Sequence, residues 1–488
     1  MSRFNVWWAA CLILLGGLGC NARSQDLAEF DWDADTDEEA DEQEGDADSE
    51  DGEDGDGESK EEDGESEDEA SDGTHHGFVA ISDPLSYYEH AKPIIDAKCA
   101  SCHTEDGIGP MPLTSYDEVE PYVKLVEASV ASGRMPPWTA EGPLDNFLGD
   151  RRLSFDQRRT LLSWLSQGAP EGDPEDEPEE KIDTTPRRLE DVDLRLELPI
   201  DYEPKVEPDD YHCFPIEWPE DETKYVTALD IVPGNRRIVH HAIIYYVRPG
   251  SADAVRERDA EEEGPGFECF GSNFGAPSVW LQSYEPGGYA QEVPGDLGFE
   301  IEPGSIMMLQ LHYNTLTGSG TDRSAMEFKL EDKVDRVGRV SLIMQPAWIA
   351  GFMPIPANEP DVVHNYLALP RGADSPPREI FWADLHMHSL GTRGMIGIVR
   401  AERPGIVEPL LVIPEWDFAW QETYILREPV ILNPLDRLYV ECHFDNTADN
   451  QVMVDGERLP PRDVNWGDGT TDEMCLGNVL TAPIELGD

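Results

Sequence analysis

Apolar and polar residues alternate over short stretches through most of the chain, at 237–247, 305–314, 327–330, 340–344 and 437–444, each bounded by Pro and Gly turns. A two-residue period is that of a half-buried strand, so these stretches predict sandwiches or jelly rolls rather than βαβ units. The pattern differs before residue 173. Residues 85–97 read as a helix, and so does an apolar-periodic run through Leu161, Leu162, Trp164 and Leu165, opened by Ser154 and Gln157 at capping-box spacing and ended by Gly168. A Pro-, Glu- and Asp-rich stretch at 170–186 separates the two regimes and has the composition of a linker. The expected fold is multidomain, with a small all-α domain at 78–172, a linker at 173–187 and an all-β remainder.

The chain ahead of the helical region has another character. Arg3, an apolar run at 6–18 and small residues before Cys20 read as a signal peptide at 1–20. The Leu18-Gly19-Cys20 ending resembles a bacterial lipobox, although Gly17 stands where leucine is usual, and implies lipidation of Cys20. Residues 21–77 form an acidic linker; within it 26–72 is nearly all Asp, Glu, Gly, Ser and Ala, with Lys60 the lone cation. Such a tract lacks the apolar surface to fold, so disorder is expected. As a flexible coil, 21–74 spans roughly 40 Å, and more once its charges repel. The expected location is the bacterial cell envelope, with the membrane met through a lipid anchor only; no other apolar run has transmembrane length. The tract supplies much of the net charge of −66. The remainder is still acidic, which argues against nucleic acid and anionic membrane surfaces as partners. At 488 residues, 39% of them hydrophobic, the chain suffices for about three compact domains.

Candidate chemistry begins at Cys99-Ala-Ser-Cys102-His103, the attachment motif of a c-type haem: two thiols bond the vinyl groups and His103 is the proximal iron ligand. The all-α domain therefore reads as cytochrome c-like, carrying one covalent haem c. Met135, in Gly133-Arg134-Met135-Pro136-Pro137-Trp138, is the distal candidate and Met111 its competitor. The plainer reading of CxxCH is half of a zinc site, but no second cysteine pair lies nearby.

Farther on come His240-His241, His312, His386-x-His388 and Met474, in that order. Imidazole suits Cu(II) and a thioether favours Cu(I), so the set predicts metals that change oxidation state. Singly, each member has a plainer reading. Neighbours on a regular strand face opposite ways, so His240 and His241 reach one metal only if a bulge or strand end brings them together. His312, sharing a strand face with Gln310, reads alone as a core histidine. Alternation over 382–390 puts His386 and His388 on one face, good spacing for chelation, with a hydrogen-bonded pair as the alternative. Met387 and Met453 are rival thioethers, although Met387 alternates away from the two histidines and Met453 lies in a turn-rich stretch. Of the eight cysteines, Cys213, Cys269, Cys442 and Cys475 remain for disulfides, with three possible connectivities.

Taken together, IVHH (238–241), LQLHYN (309–314), DLHMHSLG (384–391) and DEMC (472–475) resemble, in sequence and order, the copper type II, ascorbate-dependent monooxygenases. That family includes peptidylglycine alpha-hydroxylating monooxygenase and dopamine beta-monooxygenase. The resemblance covers roughly 205–485 and includes IAGFMPIPAN (349–358) and WDFAWQ (416–421). It implies two jelly rolls, at 188–335 and 336–488, holding one copper each. His240, His241 and His312 are then ligands of the copper that stores an electron; His386, His388 and Met474 are ligands of the copper that activates oxygen. It also implies a Cys442–Cys475 bridge, through ECHF (441–444), and leaves Cys213 with Cys269.

The implied activity is hydroxylation of a C–H bond of a small substrate. Partners would be molecular oxygen and a reductant such as ascorbate or another redox protein. Copper supplies the oxygen chemistry; the protein supplies orientation and electron delivery. A haem on the same polypeptide is concentrated at the copper that needs electrons, which makes it a candidate entry point. If the linker lets the modules move independently, the cytochrome serves another partner instead. The alternative function is a haem/copper electron-transfer or copper-handling envelope protein without hydroxylase turnover. In one respect the chain departs from the peptide-amidating members, which carry an arginine two residues before the HxH pair to hold a substrate carboxylate. Here that residue is Asp384, which argues against peptide amidation.

Overall fold

The computed structural model describes residues 80–105, 109–142, 146–179, 188–207, 209–269, 274–284, 290–294, 296–315, 318–418, 420–454, 457–467 and 471–484. The signal peptide, Cys20, the acidic tract and linker residues 180–187 lie outside them.

The first described unit is helical. The stretch read as one helix at 85–97 is a π turn, Tyr87–Ala91, running into an α-helix, Lys92–Lys98. Pro93 accounts for the break, since it has no N–H to donate to a carbonyl one turn back. Val123–Ala131 and Phe155–Ser166 complete the bundle. The second of these opens with the reciprocal cap its sequence predicts: Gln157 N–H donates to Ser154 Oγ at 3.1 Å, and Ser154 N–H to Gln157 Oε1 at 2.9 Å. Tyr87, Ile95, Val119, Leu161 and Trp164 form the core.

Between these helices an arm leaves the bundle. Phe147 forms a β-bridge with Leu426, Glu141 N–H donates to Val412 O at 2.9 Å, and Leu148 N–H donates to Ile425 O at 2.8 Å. Ala140 and Phe147 are buried in the core of the last β unit. Arg151 pairs with Glu422 at 2.5 Å, and the Thr139 and Tyr424 hydroxyls lie 2.6 Å apart. The helical unit is therefore clamped to the β region by residues inside it, and the linker composition at 170–186 does not make it an independent module.

Among the described residues the β region consists of two pairs of sheets and a small two-stranded antiparallel sheet, Met453–Val454 with Glu457–Arg458. In the first pair, one sheet runs Leu194–Glu197, Ala325–Glu331, Lys224–Val232, Leu297–Ile301, Arg336–Val337, and Gln291–Glu292 joins Lys224–Val232. The other runs Phe267–Glu268, Asp209–Glu217, Ile306–Asn314, Val239–Val247, Val279–Tyr284. The second pair comprises Arg339–Ile343, Leu476–Pro483, Arg378–His386, Tyr424–Leu432, and Val362–Leu367, Arg437–Phe444, Gly391–Val399, Val407–Ile413. Phe381, Trp382 and Leu480 of the second pair join the core of the first, alongside Phe299 and Leu309, so one apolar seam runs through both. Disulfides Cys213–Cys269 and Cys442–Cys475 are present. No described helix is long and apolar enough to cross a membrane.

Candidate metal centres

His240, His241 and His312 come together on the sheet containing Val239–Val247 and Ile306–Asn314. The register of this pair shifts between Val239 and His241, which sets His241 opposite His312 and places His240 in a bulge. A bulge opposes two residues to one, and this removes the up-down alternation that would separate adjacent side chains. One nitrogen from each ring lies within 4.8 Å of the others. His241 Nδ1 and His312 Nδ1 are 3.1 Å apart, close enough for both to reach one ion. His312 Nε2–H donates to Asp209 Oδ1 at 2.8 Å, and Tyr211 stacks on the ring at 4.1 Å between centroids. Burial, and then the charge of His312, push His240 down to about 4. Burial and the neighbouring histidines hold His241 well below the ordinary imidazole range. His240 and His241 are thus kept neutral, as a metal ligand must be.

The second set lies at the end of Arg378–His386. The expectation that one strand, 382–390, carries both histidines is corrected: the strand ends at His386 and His388 follows it. Glu473 causes this, because its carboxylate accepts from His388 N–H at 2.9 Å and Leu390 N–H at 2.6 Å and so substitutes for strand partners. The two rings nevertheless meet, 5.2 Å between centroids. His386 Nδ1–H donates to Gln421 Oε1 at 2.6 Å and His388 Nδ1–H to Asp472 O at 3.0 Å, which fixes both orientations. Burial pushes His386 down to about 4. Met474 is buried and shares with His386 a cavity of about 110 Å³, to which Tyr245 and Trp280 contribute from the first sheet pair. The rivals are placed elsewhere: Met453 is exposed and Met387 is packed in the core. The Cys442–Cys475 bridge tethers the residue after Met474 to a neighbouring strand.

Residues 373–481, which include His386, His388 and Met474, match the family model of the copper type II ascorbate-dependent monooxygenase C-terminal domain. These matches support that family. The chain is 28% identical over 272 residues to DBH-like monooxygenase protein 1 of Mus musculus, covering 51% of this chain and 40% of that one. The Gallus gallus protein of the same name is 27% identical over 283 residues, covering 54% and 42%. The chain thus spans about two fifths of the length of the curated relatives it matches. Among solved structures, a peptide-N(4)-(N-acetyl-beta-D-glucosaminyl) asparagine amidase covers 60% of this chain and 97% of its own, at 10% identity and a TM-score of 0.24. As a family, copper type II monooxygenases bind copper, and the three-histidine cluster offers a place for it.

In the helical unit, Cys99, Cys102 and His103 line an apolar cavity of about 380 Å³, with Met111 and Met135 in its wall. Neither Cys99 nor Cys102 is in a disulfide. His103 Nδ1–H donates to Met111 O at 2.9 Å, which fixes the ring. Gly109 passes so close that a Cβ there would lie 2.6 Å from His103 Nδ1. Donor set, apolar wall and oriented imidazole all fit a covalently held haem.

Sequence reasoning gave no role to Asp209, Tyr211, Gln421, Glu473 or Arg151. Gln421 and Glu473 lie inside motifs it used, WDFAWQ and DEMC, so a signal was present. Asp209 and Tyr211 have none, because only strand pairing sets Tyr211 opposite His312.

Proposed function

We propose that the chain is a copper-dependent monooxygenase that hydroxylates a C–H bond of a small neutral or cationic substrate. The observation that carries this is the buried His386–His388–Met474 set beside a cavity, within the segment matching the family's C-terminal domain. When bound, copper supplies the one-electron chemistry by which O2, two electrons and two protons turn R–H into R–OH and water. The residues do the rest. His240, His241 and His312 hold the electron-storing ion rigidly; Gln421 and the Asp472 carbonyl orient the imidazoles facing the substrate side; Tyr245 and Trp280 exclude water. Asp384 is buried and accepts from Asn478 Nδ2 at 2.7 Å, and Asn478 lines the cavity. A substrate carboxylate there would find no cationic side chain among the described lining residues, which disfavours anionic substrates.

In this reading Cys99 and Cys102 would hold a haem c covalently, and His103 and Met135, which line the same cavity, would bind its iron, a group that would supply one-electron chemistry. Two disulfides support an oxidising compartment, in keeping with export to a bacterial envelope and an anchor at Cys20. A second reading, electron transfer or copper handling without turnover, is favoured by the small volume of the cavity beside His386. Oxygen uptake by the copper-loaded protein with ascorbate separates the two. The enzyme reading expects uptake that rises with neutral or amine probes and yields hydroxylated product; two bound coppers without reductant-dependent uptake would establish the second.

A further inference from the structure

The wall of the haem cavity contains a residue from outside the helical unit that has another position to fill. His240, one of the three clustered histidines, lines the same cavity as Cys99, Cys102 and His103. Trp420, from the second sheet pair, closes another side. Cys102 also lies within electrostatic range of Arg236, four residues before His240. Thus the cavity for one redox group and the ligand set for another share an imidazole. His240 Nδ1 is buried and has no hydrogen-bond partner among the described residues, whereas His312 has Asp209.

We propose that His240 is the electron-entry ligand of this protein, bridging the haem cavity and the three-histidine copper, so that the helical unit reduces that copper first. This rests on the two-copper reading. Electron transfer weakens steeply with distance, and here a ligand of the acceptor is itself in the cavity wall. The rival acceptor is less direct: the cavity beside His386 and Met474 shares no described lining residue with the haem cavity, and a link to it runs from Trp420 through a peptide to Gln421 and its hydrogen bond to His386. The geometry is held in place, because the Arg151–Glu422 pair stands beside it and the Arg151 guanidinium lies 5.1 Å from the Trp420 ring centroid. In each transfer ferrous haem loses one electron and Cu(II) gains it, giving ferric haem and Cu(I); no bond forms or breaks and no proton moves. A small-molecule one-electron donor such as ascorbate, or a redox protein, restores the ferrous haem.

The experiment uses the full chain loaded with haem and Cu(II), under argon and without substrate. A photochemically generated one-electron donor reduces the haem in a pulse; haem absorbance and freeze-quenched Cu(II) resonance are then followed. Haem reoxidation should keep step with loss of the Cu(II) signal. His386→Ala should retain the transfer, and His240→Ala should lose it while keeping the haem spectrum. The Cu(II) at the three-histidine site should also relax faster beside ferric than beside ferrous haem, in the wild type and in His386→Ala alike. Transfer that persists in His240→Ala, or disappears in His386→Ala, overturns the proposal, and so does a wild-type haem that stays ferrous beside Cu(II). Oxygen and substrate are absent, so a protein that passes this test and never hydroxylates refutes the enzyme reading alone.

Discussion

The three-histidine cluster is assembled within one sheet, by the register of two neighbouring strands and a single bulge. The His386–His388–Met474 set is assembled past the end of a strand, where a loop is held by Glu473, Gln421, the Asp472 carbonyl and a disulfide. Ladder hydrogen bonds orient the first site whatever its outer partners do. The second depends on those partners for its shape. The first therefore suits a metal whose surroundings stay fixed while its charge changes; the second suits one that must admit a small molecule beside it.

Loss of a ligand at the adaptable site should have the largest effect. Met474→Ile is expected to lower oxygen-dependent turnover by more than about 100-fold, beyond what supporting residues usually cost, while the copper resonance of the three-histidine site stays unchanged. Hydroxylation at the wild-type rate would mean that the oxygen site is elsewhere. Next is Gln421→Leu, which frees the His386 ring to rotate; copper titration should show an affinity loss of roughly 10–100-fold at that site alone. The smallest effect belongs to Asp209→Asn. Tyr211 and the strand ladder still hold His312, so copper retention there should fall by no more than about tenfold. If Asp209→Asn harms copper binding more than Gln421→Leu does, the contrast between a register-built and a partner-built site is wrong.

What the sequence made legible follows the range of the forces involved. Arg437–Phe444 has the bounds its alternation predicts, and the Phe155–Ser166 helix opens at its capping box, because both signals are local. The bulge at His240 was legible as a requirement: adjacent histidines can serve one metal only if alternation fails. That His388 leaves its strand was not legible, since the cause, Glu473, lies 85 residues away. The arm that ties the helical unit to Val412 and Leu426 was likewise hidden, and a Pro-rich composition gave the opposite impression. Pairings between distant segments leave no period in the chain, and the meeting of His240 with Cys99, Cys102 and His103 around one cavity is such a pairing.

The arm also constrains how the protein is made. Thr139 meets Tyr424 across 285 residues, so nearly the whole β region must emerge before Phe147 finds its place. Chains are synthesised from the N-terminus, and contacts of such long sequence separation form late. During that interval Trp138 and Phe147 have no core to enter and the segment around Cys99 and Cys102 lacks its closing wall, His240 and Trp420. The cavity around Cys99, Cys102 and His103 thus stays open until His240 and then Trp420 arrive to close it.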